Sequence, residues 1–395
     1  MIPWEDAFER MMADVRPLES ERVALAAASG RVLVAPLRAR RDQPALPMSA
    51  MDGYAVASAD LSGDETRLPL TGESRAGRPA PAFTPGTAMR IFTGAPMPAG
   101  TDQVVIQENA IAEGDHVRLA DGPNPGRHVR GAAIDFHQGG TVLEAGTYLT
   151  PRAIGLAAAA GHDPVMVHRQ ARVAILATGD ELIDAGQNAD PHQTVNSNAP
   201  MLATLFTDLG AHVLPPERAG DRMDSLASAL EKALHADLVL TIGGASVGTH
   251  DLVRGALEQA GVAIHQHRVA MRPGKPVMTG RRGRTHVIGL PGNPVSAYVT
   301  ARLFACPLVD RLMGRPAPRP QGIDLPVACA LPANGPRDHF IRAELVGEPG
   351  SRKVAPLGNQ DSSLLSVLAQ AHGLLHRPAG APAVETGDPV PFLPL

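Results

Sequence analysis

The sequence predicts a multidomain α/β protein in four parts. Residues 1–45 plus 140–168 form a helical/linker domain, and residues 46–139 an inserted mostly-β domain. Residues 169–318 form an α/β domain with a parallel-type sheet, and residues 319–395 a small C-terminal β domain. Three observations carry this. Between residues 172 and 312, short apolar β-like runs alternate with helical ones, the pattern of a parallel sheet covered on both faces. Between about residues 44 and 146, Gly and Pro instead cut the chain into short β-like runs. A chain of 395 residues with 44% hydrophobic and 19% charged residues can bury several cores, which excludes wholesale disorder.

The elements follow in order. Residues 3–15 place Ala7, Phe8, Met11, Met12 and Val15 near helical spacing. Residues 20–29 read as a second helical run closed by Gly30 as a C-cap. The β-like runs of the next part are Met89-Arg90-Ile91-Phe92, Gln103-Val104-Val105-Ile106-Gln107 and Val117-Arg118-Leu119. Residues 150–161 read as a helix with Pro151 in its first turn and Gly161 at its end, so the β part is inserted between segments of one domain. Strands are then expected over 172–177, 237–242 and 286–288, and helices over 199–209, 224–235, 252–260 and 294–304. The run Arg315-Pro316-Ala317-Pro318-Arg319-Pro320 reads as a linker, followed by short β-like runs and turns.

Composition excludes several classes. A net charge of −4 with 3% aromatic residues disfavours nucleic-acid binding and base-stacking platforms. Two cysteines, Cys306 and Cys329, make neither a disulfide framework nor a zinc cluster and suit a reducing compartment. Forty glycines show no fixed period, so collagen is excluded. The acidic N-terminus lacks the apolar core of a signal peptide, and no apolar run of about 18 residues is present. The expectation is a soluble cytoplasmic protein with no nucleic-acid or membrane partner.

Several segments could carry chemistry. Leu240-Thr241-Ile242-Gly243-Gly244-Ala245-Ser246-Val247-Gly248-Thr249-His250-Asp251 runs from a strand into a Gly-rich loop and a helix. Such a loop can wrap backbone N–H groups around an anion, or be a plain tight turn. Asp251 reads either as a helix cap or as a magnesium ligand beside a phosphate. In Met271-Arg272-Pro273-Gly274-Lys275-Pro276 two cations are held in a stiff Pro-Gly frame, which favours anion binding. Gly289-Leu290-Pro291-Gly292-Asn293-Pro294-Val295-Ser296 follows a strand and opens a helix, with Asn293 as its cap. Ala177-Thr178-Gly179-Asp180-Glu181-Leu182 offers one acid to cap a helix and one to meet a ligand. Met48-Ser49-Ala50-Met51-Asp52-Gly53-Tyr54 and Arg90-Ile91-Phe92-Thr93-Gly94-Ala95-Pro96 are, by themselves, turns.

Taken together, with Asn196-Ser197-Asn198, these motifs cover nearly the whole chain, and in their order the sequence resembles the MoeA family. These are molybdopterin molybdenumtransferases, related to the E domains of plant Cnx proteins and of gephyrin. The resemblance implies an elongated dimer with an α/β molybdopterin-binding domain, an inserted β domain and a C-terminal β-barrel-like domain, its active site lying between subunits. It implies insertion of molybdenum from molybdate into adenylylated molybdopterin, with Mg2+-dependent hydrolysis and release of AMP. A transient contact with a molybdopterin adenylyltransferase is also expected. Gly243, Gly244, Ser246 and Gly248 would bind phosphates. Arg272, Lys275 and Arg342 would meet molybdate, with Ser296 and one of Ser362 or Ser363 donating hydrogen bonds. Asp221 and Asp251 would hold magnesium. Asp52, Asp135 and Glu181 are the further matched acids, the first two reaching the partner subunit's site. Thr93, Asp180, Pro276, Pro291 and Asn293 complete the substrate-binding set, and Lys275 joins the three acids in the catalytic one.

The chain departs from the family at three points. Ala133-Ile134-Asp135 stands where the family reads Gly-Glu-Asp, so the glutamate is lost. Arg272 stands where lysine is usual. Asn359-Gln360-Asp361-Ser362-Ser363 follows the family's Ser/Gly-rich turn only loosely. Two other readings stay open at this point: a non-enzymatic molybdopterin-binding scaffold, and a molybdopterin adenylyltransferase, normally a single compact domain.

Overall fold

Leu238–Ile242 is buried along its whole length and sits in the middle of a seven-stranded sheet. Its neighbours are Arg172–Thr178 on one side and Thr285–Leu290 on the other, both parallel to it. Runs this apolar belong in a sheet covered on two faces. Here one face packs Val173, Ile175, Leu240 and Ile288 against Phe206, Phe304 and Leu308. The other packs Leu176, Val239 and Val287 against Leu226, Leu230 and Leu257. The computed structural model describes residues 1–243 and 252–395. The chain divides into two units, one of Met1–Glu21 with His168–Leu395 and one of Arg22–Val167.

In the first unit the expected parallel strands are present, and two antiparallel strands extend the sheet. Beyond Thr285–Leu290, the strands Pro276–Arg282 and Ala263–Arg268 continue it antiparallel. Arg282 pairs with Thr285 across the two-residue loop Gly283-Arg284, with Gly283 at φ +58°, and so short a loop joins only antiparallel strands. The expected helix 294–304 is also longer. Pro294–Thr300 continues through a π-turn, Ala301–Ala305, into Cys306–Leu312. The expected linker 315–320 is pinned rather than free. Arg315 donates to Leu209 O at 2.6 Å and to Asp310 at 3.0 Å, and Ala317 is buried.

Helix Trp4–Met12 belongs to this unit, not to the segment that contains 140–167. Trp4 is buried with its ring edge-on to Phe340 at 5.5 Å, and Phe340 stacks on His376 at 4.6 Å. The C-terminal strands form the expected barrel-like sheet. Lys353–Pro356, Asp338–Val346, Gly373–Arg377, Pro389–Pro394 and Ile323–Pro326 pair in sequence. The bridge Val327–Val354 then brings the last strand back to the first. Closure of this kind removes exposed sheet edges.

In the second unit a six-stranded sheet runs in the order Gln103–Ile106, Gly53–Val56, Ala88–Ile91, Thr66–Ser74, His116–Leu119, Ala110–Glu113. It closes over Tyr54, Val56, Leu68, Val105, Val117 and Leu119. A separate core gathers Leu33, Leu37, Leu149 and Val165 beneath helix Pro151–Ala159, whose cap Thr150 accepts from Ala153 N. The helix expected over 20–29 is absent. Ser20–Val23 is a strand and Leu25–Ala27 a single 3-10 turn. The alanines there favour a helix, but only Leu25 and Ala28 are buried in that run, too little apolar face to hold a short helix.

Candidate functional site

Parallel strands deliver their loops to one edge of a sheet, and in the first unit that edge collects the predicted motifs. The loops after Thr178, Ala219, Ile242 and Leu290 are tied to one another. Gly179 N donates to Ala219 O at 3.3 Å, Gly243 N to Leu290 O at 3.2 Å, and Thr178 Oγ1 to Ile242 O at 3.2 Å. Gly243 has φ +93°, and a Cβ there would lie 2.9 Å from Thr178 Oγ1, so only glycine fits. Gly244, Ser246, Gly248 and Asp251 lie outside the described residues.

At one end of this edge stand three acids. Asp180 Oδ1 accepts from Asp221 N at 2.9 Å, which fixes the two aspartates in one corner. Glu181 folds back over Gly179, where a Cβ would fall 2.8 Å from Glu181 Oε1. Among the described residues no three His, Cys, Asp or Glu side chains converge to hold a metal. A divalent ion here would rest on one or two carboxylates, water and substrate oxygens. That is the coordination magnesium takes, and the hard-oxygen donor set fits it.

At the other end lies a cleft of about 640 Å³ that brings together Arg272, Lys275, Pro276, Pro291, Asn293, Ser296 and Ser362. Its floor is the loop of Arg272 to Lys275. Val269 N donates to Lys275 O at 2.9 Å and closes the loop. Gly274, at φ +99°, passes so near Thr300 Oγ1 (2.5 Å from a Cβ) that a side chain would clash. Arg272 pairs in parallel register with His339 at the start of strand Asp338–Val346, so the α/β sheet and the barrel meet at this cleft.

The wall opposite is set by hydrogen bonds. Asn293 occupies the helix N-cap position, but its side chain makes no cap bond; Nδ2 donates instead to Ser362 Oγ at 2.9 Å. Val295 N donates to Ser362 O at 3.1 Å. Ser362 Oγ is thereby an acceptor whose own O–H is left to point at a ligand. Ser363 is used elsewhere, its hydroxyl donating to Asp361 Oδ1 at 2.6 Å. Asn198 reaches across from its helix to donate to Gly292 O at 2.6 Å, while Asn196 Oδ1 accepts from Ala199 N.

Arg342 is not in the cleft lining. It is 2% exposed, and its guanidinium donates to Asp361 O at 2.9 Å and to Gln360 Oε1 at 3.3 Å. Gln360 returns a bond to Arg342 O at 3.1 Å, so the pair clasps the loop that presents Asp361 and Ser362. Arg337 and His339 line the cleft instead. Sequence reasoning missed them, along with Gln360 and Asp361. Strand alternation would have found the first two, since residues 337 and 339 face opposite to 338, 340 and 342. The cleft therefore carries three cations, Arg272, Lys275 and Arg337, against one carboxylate. Asp361 is held below the usual carboxylate range by the Ser363 hydroxyl and backbone N–H. Burial, with Arg272 and Arg337 nearby, pushes His339 down to about 4, so at neutral pH it offers one N–H and no charge.

Asp52, Thr93 and Asp135 belong to the second unit. Asp52 Oδ1 accepts from Thr93 N at 2.7 Å and Thr93 Oγ1 at 2.8 Å, which lowers its pKa and keeps it ionised. Asp135 is exposed, with its backbone N held on Gln43 O at 3.0 Å. Ile134 beside it is 67% exposed.

Comparison with known proteins agrees with this architecture. Residues 2–161 match the MoeA N-terminal region (domain I and II), residues 174–311 the probable molybdopterin binding domain, and residues 324–395 the MoeA C-terminal region (domain IV). Molybdopterin molybdenumtransferase 2 of Mycobacterium tuberculosis (strain ATCC 25618 / H37Rv) is 37% identical over 390 residues, 95% of each chain. Molybdopterin molybdenumtransferase of Nostoc sp. (strain PCC 7120) is 37% identical over 388 residues, 95% of this chain and 89% of its own. The crystal structure of the molybdopterin biosynthesis moeA protein from Pyrococcus horikosii superposes with a TM-score of 0.84 at 26% identity, over 100% of this chain and 99% of that one. The chain belongs to the MoeA family of molybdopterin molybdenumtransferases.

Proposed function

We propose that this protein is the enzyme of molybdenum cofactor biosynthesis that inserts molybdenum from molybdate into adenylylated molybdopterin, with hydrolysis of the adenylyl phosphoanhydride and release of AMP. The observation that carries the reading is the cleft of Arg272, Lys275, Arg337, Ser296 and Ser362. Molybdate is a tetrahedral dianion. A planar guanidinium fork, a compact ammonium and hydroxyl donors complement its four oxygens at once.

The residues divide the work by chemistry. Arg272 and Arg337 orient the oxyanion through paired N–H groups, and Lys275 adds a point charge. Ser296, with its hydroxyl in the first turn of helix Pro294–Thr300, and Ser362 donate O–H groups. The neutral His339 donates an N–H without a further charge, and the ionised Asp361 keeps an anion to the side of the three cations. Asp221, with Asp251, would hold magnesium, which when bound draws negative charge off the phosphoanhydride. Asp52, held ionised by Thr93, supplies a fixed negative charge to the catalytic set. On this reading Asp52 and Asp135 serve the site of a partner subunit in a homodimer, and the adenylylated substrate is received from a transiently bound adenylyltransferase. Two cysteines outside any disulfide suit action in the cytoplasm. Among the described residues no helix is long and apolar enough to cross a membrane.

The test is reconstitution with purified protein, adenylylated molybdopterin, molybdate and magnesium, following AMP release and activation of an apo-molybdoenzyme together. Molybdate-dependent AMP release with enzyme activation is expected. Tight binding without AMP release would overturn the reading in favour of a scaffold.

A further inference from the structure

The first unit contains a second cavity, of about 350 Å³, that shares no residue with the cleft. It lies at the opposite end of the same strands. Thr285–Leu290 begins at this cavity with His286 and ends at the cleft before Pro291, and Pro276–Arg282 runs the other way from Pro276 to Arg281. Cross-strand register stacks Arg281 beside His286, and His265 beside Thr279 and Ile288, on one sheet face. Helix Trp4–Met12 covers that face only in part, and Arg10 and Asp14 stand at its rim.

The side chains around it are chemically unfinished. His286 is more than nine-tenths buried, yet its ring nitrogens make no hydrogen bond among the described residues. Burial pushes it down to about 4, so it is neutral and presents one donor and one acceptor. Arg281 spends only Nε, on Gly283 O at 2.8 Å, and its two terminal nitrogens are uncommitted among the described residues. Arg10 likewise makes no bond there. The ring nitrogens of His286 are not sealed off from solvent, so a molecule entering the cavity can meet them. Two arginines against the single acid Asp14 favour an anion, and the apolar floor of Met11, Ile288 and Leu308 favours a carbon body attached to it.

We propose that this cavity is a second ligand site of the protein, taking a small organic oxyanion, its charged group between Arg10 and Arg281 and its flat apolar body over Ile288 and Leu308, with His286 donating to it. The pairing is independent of the cleft and of the reaction proposed there.

The test uses the full-length protein labelled in its histidine rings, with the His286 signal assigned from His286→Gln. Phenyl phosphate, benzoate and inorganic phosphate are titrated separately. Phenyl phosphate and benzoate are expected to shift the His286 and His265 signals and to bind more tightly than inorganic phosphate. Arg281→Gln and Arg10→Gln should each weaken binding about tenfold, the scale of a lost charge-assisted contact. Lys275→Gln, in the cleft, should leave it unchanged. No shift at His286 with any probe, unchanged affinity in Arg281→Gln, or an equal loss in Lys275→Gln would overturn the proposal.

Discussion

Asn293 Nδ2 donates to Ser362 Oγ over 2.9 Å, so two side chains that line the cleft also tie together the loops that carry them. The bond makes Ser362 an acceptor toward Asn293 and leaves its proton for a ligand. The two residues are then separable by mutation. Asn293→Ala removes the tie alone, and molybdate affinity should fall by about 3-fold, the scale of one net hydrogen bond. Ser362→Ala removes the tie and the donor, and should cost about tenfold or more. Calorimetric titration with molybdate distinguishes them. Equal losses in the two variants would mean that the Ser362 hydroxyl serves only the loop.

Arg337 and Arg342 are five residues apart on one segment and should behave oppositely. Arg337 lines the cleft and Arg342 lies buried beneath it. Arg337→Gln is expected to lower molybdate affinity with little change in the urea midpoint. Arg342→Met removes the guanidinium bond that holds the Asp361 carbonyl, while Gln360 Oε1 keeps its bond from Arg342 N at 2.9 Å. The substitution should lower unfolding stability by about 1.5–3 kcal/mol, the range for losing hydrogen bonds made by a charged group. A stable Arg342→Met protein with lost anion binding would instead place Arg342 among the ligand's direct contacts.

What the sequence could show follows the same division between local pattern and tertiary partner. The apolar runs 172–177 and 237–242 were legible as strands because continuous apolar stretches bounded by turns have one stable home. The loops after them were legible as a site because such strands end at a common edge. Arg272, Lys275 and Asn293 were found through their motifs, while the choice between Ser362 and Ser363 needed the structure, which puts Ser362 in the cleft. Arg342 was legible as a cation, but its inward direction depends on the alternation of strand Asp338–Val346 and on Gln360, which lies 18 residues on. His339 was legible as a residue on the open side of an alternating strand, but only its pairing with Arg272 shows that it meets the cleft; Asp361 carried no local signal, since only the clasp on Gln360 brings it there. The run 20–29 misled because alanine propensity outlasts its usefulness where there is no apolar face to bury.

One buried histidine, His286, and one half-buried, His339, give the fold a defined acid sensitivity. Burial lowers both His286 and His339 to about 4. Both would titrate near 6.5 in the unfolded chain. Between these values the unfolded state binds more protons, so stability is present above the unfolded value and is lost as pH falls toward the folded one. The ligand-free protein should therefore lose stability between about pH 6.5 and pH 4. His339→Gln should flatten that dependence, read as the change in urea midpoint with pH. An identical slope in the variant would show that His339 is charged or solvated in the folded protein.

Ala133 carries a strain that can be relieved by one substitution. Its φ is +54°, in the left-handed region where a Cβ is unfavourable. The conformation is imposed from both sides. Ala133 N donates to Pro44 O at 2.9 Å, and Asp135 N donates to Gln43 O at 3.0 Å. The family's Gly-Glu-Asp places glycine at this point, the residue that adopts such a φ without penalty. Ala133→Gly removes about 1–2 kcal/mol of left-handed strain. It returns about half of that through the greater freedom of the unfolded chain. The net expectation is a gain of about 0.5–1 kcal/mol in the unit that contains residue 133. Ala133→Val should do the reverse, because a β-branched side chain tolerates positive φ still less. Chemical denaturation of the three proteins decides it. No gain in Ala133→Gly together with no loss in Ala133→Val would show that the backbone at residue 133 relaxes out of the left-handed region.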